Sequence, residues 1–538
     1  MAQEERDWTT WTSFGTDVRR VRFIDDSVFF VTSGGVLAVQ QPTQRGREYT
    51  NLNGLGTTDV YDLIEAADGQ KWVAGFGRLI KFNGSASERY IFADNQGELF
   101  GLYALADDGD RLWVGTERGL ILFSKTVDGG LILDNYSLFG DLPGTPTVWD
   151  IALAGDTIML ATDMGAALAD KQNPINLKAP ASWTTYSPMT HPELPADNVS
   201  RVVHYAGDVF LGTGGGVFRL DIDLDTAVFI GPSVGADVTD LKIERDSLFY
   251  YSSEGHGAIV NDSAVDISTF GVPGESRTGT HAAIQQWHAS TAGGLYYVDS
   301  GGFVRYVFEG LPDQNVRDIS IGPDGLITLL AYIEGPYELH NGQWVKRPVV
   351  LRAHTNGIAA DVDGNNWVAT WGGGASRVGD TVAQYTNANS SLRGVSENPD
   401  YVVVSDVVTA GRFAYFTLFR GVEGARVCAV DLDRPDELPG WTVFGLTDGI
   451  IGDRLATIDH FGGALAVGSQ ENGLYYLYVG SDPFSIADDS LARYYEGSPD
   501  FRKRLLSNDV RAVRFSPQGE LWAGTNFGLT RLDRGVDL

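Results

Sequence analysis

One phrase of residues returns along this chain about every 40 residues, and such a period restricts the fold more than any bulk property does. Its clearest form is Leu112-Trp113-Val114-Gly115-Thr116-Glu117-Arg118-Gly119-Leu120. Variants are Lys71-Trp72-Val73-Ala74-Gly75, Val209-Phe210-Leu211-Gly212-Thr213, Asn366-Trp367-Val368-Ala369-Thr370, Ala464-Leu465-Ala466-Val467-Gly468 and Leu521-Trp522-Ala523-Gly524-Thr525. Before each phrase lies a strand of alternating character, such as Val510-Arg511-Ala512-Val513-Arg514-Phe515. Several of these strands turn back through Asp68-Gly69, Asp324-Gly325, Asp363-Gly364 or Gln518-Gly519, dipeptides that signal hairpins between alternating runs. Earlier still comes a short aromatic strand, Trp183 to Tyr186 or Trp441 to Phe444, followed by a polar loop.

Each unit thus holds four short strands in about 40–45 residues, the size of a β-propeller blade. Twelve first strands can be placed, beginning near Val18, Val60, Leu102, Val148, Val199, Val238, Ala282, Val316, Ile358, Val402, Leu455 and Val510. The sixth and seventh units are the most degenerate, and no amphipathic helix stands out. A lone four-stranded meander has two apolar faces and two open edges, so it must stack against its neighbours. The Trp of each phrase is expected to fill the space between blades. Twelve blades in one ring would leave a wide wet channel, so the expectation is all-β tandem propellers: residues 7–262 and 263–538, about six blades each, with five plus seven as the alternative. The aromatic strand Trp8 to Phe14 is expected to complete a blade that lacks its fourth strand.

Composition supports this reading. The chain has 538 residues, 66 of them glycine, spread without a collagen period and therefore read as turn residues. Its formal charge of −30 opposes a nucleic-acid partner and a basic lipid-binding patch. Cys428 is the one cysteine, which excludes an intramolecular disulfide and a thiolate zinc site. No apolar run reaches the roughly 20 residues needed to span a bilayer. The start Met1-Ala2-Gln3-Glu4-Glu5 has no signal-like apolar stretch, but Ala-Gln-Glu reads as the product of a signal peptidase. A cytosolic chain and a mature exported one both fit this start, and the expectation is export to the periplasm or cell surface.

Catalytic chemistry is hard to assemble. The eight histidines fall in different units and form no His-x-His pattern, so no metal site is expected. Glu254-Gly255-His256 is the nearest approach to an acid–base pair and reads as a polar loop. Asp361-Val362-Asp363-Gly364-Asn365-Asn366 has a calcium-loop flavour but lacks the later bidentate Glu and stands where the repeat needs a hairpin. The cluster Asp107-Asp108-Gly109-Asp110 reads the same way, and no cofactor is called for; Ca²⁺ is the one ion the acidic surface would suit. The glycine runs 212–216 and 372–374 open no helix and make poor phosphate cradles.

A binding surface is easier to argue. Loops joining second to third strands and fourth to next-first strands gather on one propeller face, and here these positions carry Phe76, Arg78, Glu117, Arg118, Trp371, Phe419, Arg420, Asn526 and Phe527. Aromatics in turns beside Arg and Asn suit sugar or peptide recognition, with Trp371 the leading single residue. The longest polar loops on that face are 187–198, 388–399 and 496–508, the last with Arg502-Lys503-Arg504.

The run Leu505 to Val510, then Pro517 to Thr525, then Gly528 to Leu532 resembles the two-component-regulator propeller repeat. The opening, Trp11 to Phe14, Val18 to Phe23, Val28 to Val39 and Tyr49 to Leu55, is similar to the start of PorZ-like double-propeller proteins of type IX secretion. The repeat implies a scaffold and brings no catalytic residue with it. In the PorZ-like family a C-terminal β-sandwich follows the propellers. The sequence stops after a third strand at Asp533 without one, so the resemblance implies a shortened or divergent relative. The resulting expectation is an exported, non-enzymatic scaffold that binds an envelope protein or glycan without spanning the membrane. A ligand-sensing periplasmic domain and a propeller lyase or hydrolase are the alternatives.

Overall fold

A computed structural model describes residues 17–532, apart from residues 42, 83–86, 128–129, 173–175, 196, 233–234, 267–275, 282–285, 291–293, 300, 307–310, 312–314, 334, 348–352, 422–423, 425 and 486–488. The strand expected at Trp8 to Phe14 lies outside the described residues. The rest is a succession of antiparallel meanders whose only described helical pieces are three-residue 3₁₀ turns. Numbered in chain order, blades 1–7 span Val18–Tyr49, Val60–Ile91, Leu102–Tyr136, Val148–Tyr186, Val199–Gly231, Val238–Asp266 and Ser276–Tyr306. Blades 8–12 span Val316–Lys346, His354–Tyr385, Val402–Phe444, Leu455–Tyr494 and Val510–Leu532. The last has three described strands, and blades 9 and 10 are joined where Trp371 and Gly372 pair with Val403 and Val402. The chain is an all-β tandem propeller.

The strand starts read from the sequence hold except at two blades. Blade 7 starts at Ser276 rather than Ala282, which is outside the described residues, and blade 9 at His354 rather than Ile358. The division of the chain needs a larger correction. The compact units are residues 1–314 and 315–538, so seven described blades precede five. The expected boundary at 262/263 falls inside blade 6, in the hairpin where Val260 pairs with Ser263. The reason is ring closure. The inner strand of blade 7 packs against that of blade 1, and Trp287 joins Val21, Phe30 and Val39 in one buried cluster, with the Phe30 and Trp287 rings 5.4 Å apart.

The recurring phrase now has a physical account. Its Trp is buried between neighbours: Trp113 of blade 3 packs with Val148, Ile151 and Leu160 of blade 4, and Trp72 of blade 2 sits 6.0 Å from Phe123 of blade 3. The Thr hydroxyl closes the loop between second and third strands. Thr116 donates to the Gly119 carbonyl at 2.9 Å and accepts from the Arg118 N–H at 3.0 Å; Thr32, Thr162, Thr213 and Thr525 repeat the pattern. Gly119 is required there, because at φ 96° its added Cβ would stand 2.2 Å from the Tyr136 carbonyl oxygen. The Asp-Gly hairpins turn as expected, with Asp68 and Asp324 each accepting the N–H two residues on at 3.0 Å.

Candidate functional site

The inner strands, which line each axis, share one irregularity. In all seven blades of the first unit the pairing of first and second strands skips one residue at the second position, a β-bulge at residues 19, 61, 103, 149, 200, 239 and 277. The blades of the second unit carry the same bulge near the strand start, at residues 317, 356, 405, 456 and 511. A bulge re-aims a side chain at the rim of a closed structure. Here it gives a staple between blades. Arg19 donates to the Val60 carbonyl at 2.9 Å, Asn356 to Val404 at 2.8 Å and Ser405 to Leu455 at 2.7 Å, each reaching the next blade in its direction.

The residue after the bulge adds a second staple wherever it is Asp. Asp62 accepts the Leu105 N–H at 3.0 Å and Asp150 the Val202 N–H at 3.2 Å. In the second unit Asp318 and Asp406 accept from Ile358 and Ile458, each at 2.9 Å. Around the first unit these seven positions read Arg20, Asp62, Ala104, Asp150, Arg201, Asp240 and Thr278. Arg20, 3% exposed, stands 3.6 Å from Asp62 and 3.1 Å from Asp150. Arg22 holds Asp62 at 2.9 Å, Arg201 holds Asp240 at 3.1 Å, and Thr278 donates to Asp240. Lys242 stands 3.5 Å from Asp240 and donates to the carbonyls of Val21 and Gly279. Burial penalises the Asp240 charge, yet Lys242, Arg201 and Arg20 hold its carboxyl down at about 2. Desolvation pulls Lys242 down to about 8. Buried charges of this kind persist only when paired and hydrogen-bonded.

This charged belt separates two openings. On one side, a cavity of about 550 Å³ is lined by the strand starts of blades 1–6, including Asp17, Arg19, Tyr61, Tyr103, Trp149 and Asp237. On the other, about 470 Å³ is lined by Arg22, Phe23, Leu241 to Arg245 and Thr280. The first mouth carries a continuous aromatic arc made by consecutive bulge residues. The Tyr61 and Tyr103 centroids are 4.7 Å apart at 88°, and those of Tyr103 and Trp149 are 4.7 Å apart at 46°. Arg19 ends the arc with its guanidinium 4.0 Å from the Tyr61 centroid, held by Asp17 at 2.9 Å and Asp59 at 2.7 Å. The Tyr61 hydroxyl donates to Asp59 at 2.9 Å. Burial raises the Tyr103 phenol above its ordinary range, and the Glu117 charge adds to it.

The side chains singled out from the sequence are distributed over three places. Phe76 pairs through its backbone with Gly101, while half-buried Arg78 donates to the Gly77 carbonyl at 3.2 Å. Arg118 is bound to Asp94 at 2.8 Å and stands 3.7 Å from Glu117. In the second unit, Trp371 and Phe419 come together at 5.3 Å, Arg454 stands over Phe419 at 6.0 Å, and Arg420 stands 3.6 Å from Glu397. Arg420 is left-handed at φ 58° and gives its N–H to the Asp453 carbonyl. Asn526 donates its N–H to Asp509 at 3.2 Å and Phe527 is exposed; no ring or ion contact among the described residues brings either to the Trp371 group. In the basic run, Arg502 pairs with Asp500 at 3.3 Å and Arg504 donates to the Ser498 carbonyl at 2.6 Å.

Other sequence candidates resolve into structure. His256 lies in the interior, stacked 5.8 Å from Tyr251 and with its ring tilted against His288 at 4.6 Å. Asp361 is buried and accepts from the N–H groups of Asp363 at 3.1 Å and Asn365 at 2.8 Å and from the Trp367 indole at 3.1 Å, so its carboxylate organises the turn. Among the described residues, no group of three or more His, Cys, Asp or Glu is placed to hold a metal ion. No described helix is long and apolar enough to cross a membrane.

Fold and mouth together define the class: a tandem β-propeller with an aromatic-lined axial opening in its first unit. No protein-family model and no curated protein matches the sequence. Among solved structures the chain is similar to PorZ, described as an essential bacterial surface component of the type-IX secretion system of Porphyromonas gingivalis. That match has a TM-score of 0.68 and 15% identity, and covers 97% of this chain and 72% of that one. An ancestral GH74 enzyme matches with a TM-score of 0.51 and 11% identity over 97% of this chain and 85% of its own. The extracellular domain of a B. thetaiotaomicron protein described as a hybrid two-component system matches more loosely, at 0.35 and 14% identity over 90% and 76%. At such identities the likeness is one of fold.

Proposed function

We propose that this chain is an exported, non-enzymatic propeller scaffold of the bacterial cell envelope that captures an envelope partner, protein or glycan, at the aromatic mouth of its first unit. The observation that carries the reading is the Tyr61–Tyr103–Trp149 arc around an open cavity of about 550 Å³. Concave, largely apolar openings with a few fixed polar groups are where ligands bind. The fold it shares with PorZ motivates placing it at the cell surface, in type IX secretion. Support for a non-enzymatic role comes from the channel carboxylates: Asp62 and Asp150 are committed to arginines and to the N–H groups of neighbouring blades. The Trp371–Phe419 pair with Arg420 is proposed as an accessory contact in the second unit.

The test is affinity capture from envelope extract with the wild-type chain and with Trp149→Ala, scored by mass spectrometry for proteins and glycans. The reading expects a specific partner that the variant no longer retains. Equal retention by both chains rejects the mouth as the site.

A further inference from the structure

The chemistry of the mouth narrows what it can hold. The arc is a curved wall, because successive rings turn by 88° and 46°. Tyr61 and Tyr103 meet edge to face, so the wall offers separate electron-rich faces suited to a compact charge, whereas a flat sugar ring stacks best on an open plane. The chain itself already places one cation in this arrangement. Arg19 stacks on Tyr61 and is flanked by Asp17 and Asp59. Among the described residues no cation of this chain stands over Tyr103 or Trp149, the next two rings along the wall.

The charge balance points the same way. The cations at or beneath this mouth all have anionic partners: Arg19 has Asp17 and Asp59, Arg20 has Asp62 and Asp150, and Arg201 has Asp240. An anionic ligand would have to break one of these pairs in a partly desolvated site. Asp237, by contrast, is exposed on the rim, and among the described residues it forms no ion pair. Behind the mouth lies a chain of formal charge −30, whose field draws cations toward it.

We propose, building on the partner-capture reading above, that the mouth is a receptor for a compact organic cation, presented as a lysine or arginine side chain of a protein partner. The cation enters beside Tyr103 and Trp149, with Asp237 on the rim supplying the countercharge.

The experiment is calorimetric titration of the full chain with four probes: acetylated tri-lysine, acetylated tri-arginine, choline and maltotriose. The inference expects both basic peptides to bind, with affinity that falls as salt is raised, and maltotriose to give no heat. Trp149→Ala should weaken the peptides by about tenfold, the range of a desolvated cation–π contact, and Trp149→Phe should restore part of it. Asp237→Asn, a surface change, should weaken them a few-fold without altering the melting temperature. Choline binding more tightly than either peptide would replace the protein side chain with a free ammonium compound as the occupant. Mouth-dependent binding of maltotriose in place of the peptides overturns the inference while leaving partner capture standing. So does silence from every probe when Trp149→Ala still loses the envelope partner. Capture that ignores Trp149→Ala removes the underlying reading itself.

Discussion

Replacing Arg20 by Leu should destabilise the first unit strongly, and the size of the effect can be worked from the belt. The Arg20 side chain is 4% exposed and its guanidinium serves two carboxylates, Asp62 at 3.6 Å and Asp150 at 3.1 Å, besides donating to the Trp149 carbonyl at 3.2 Å. Without it Asp62 keeps Arg22 at 2.9 Å, but Asp150 loses its paired cation and keeps the Val202 N–H and the more distant charge of Arg201. Leaving one buried charge unpaired costs about 3–5 kcal/mol. At about 2.1 cal/mol/K per residue, a unit of this size unfolds with an entropy near 0.6 kcal/mol/K, so the loss corresponds to a fall of about 5–8 °C in melting temperature. The assay is scanning calorimetry of the full chain, with hydrogen exchange over residues 199–205 to assign the transition that moves. Arg20→Leu with Asp150→Leu should be less destabilised than Arg20→Leu alone, since it leaves no orphaned carboxylate. Burial already raises Asp150, so lowering the pH should rescue the single variant selectively. An unchanged transition, or a double variant that merely adds the two losses, would refute the view that this belt holds the ring closed.

Other outcomes follow from the same geometry. Burial raises Asp406 to about 6 against an ordinary 3.8, so its ionisation opposes folding; that term is absent below pH 3.8 and grows to about 3 kcal/mol as the pH passes 6. The second unit should therefore lose stability across that window, and Asp406→Asn, although it weakens one staple, should flatten the dependence in calorimetric scans at pH 4 and 7. Gly119→Ala, which forces a Cβ to 2.2 Å from the Tyr136 carbonyl at φ 96°, should cost about 2–3 kcal/mol by denaturant unfolding. Trp371→Ala, at a site 40% exposed, should change stability by less than about 1 kcal/mol yet weaken partner capture several-fold in the affinity assay.

Much of the fold was legible because its determinants are local. The Trp-Val-Gly-Thr phrase, the Gly that closes its loop and the Asp-Gly hairpins each act within one blade, so blade identity follows from short-range chemistry. The division into seven and five was not legible. It depends on Trp287 of blade 7 meeting Val21 and Phe30 of blade 1, and no linker composition marks residue 314. The sequence reading looked for binding residues at loop positions, and the arc was missed because it lies on strands. A bulge at Tyr61, Tyr103 and Trp149 breaks the two-residue alternation by which strand faces are assigned. One signal was present: Val-x-Asp followed by an apolar residue recurs at Val60 to Leu63, Val148 to Ile151, Val238 to Leu241 and Val316 to Ile319. Asp is disfavoured inside strands, so its repetition there marks a position with a task other than pairing.

The claim that the aromatic mouth of the first unit meets the partner is tested most directly by photo-crosslinking in intact cells. A benzophenone side chain would be placed at Thr239, on the rim of that mouth, and separately at Phe23, which lines the opposite opening. A discrete adduct from position 239 and none from position 23 is the predicted result. An adduct from position 23 alone would contradict the account and move the site to the other end of the channel.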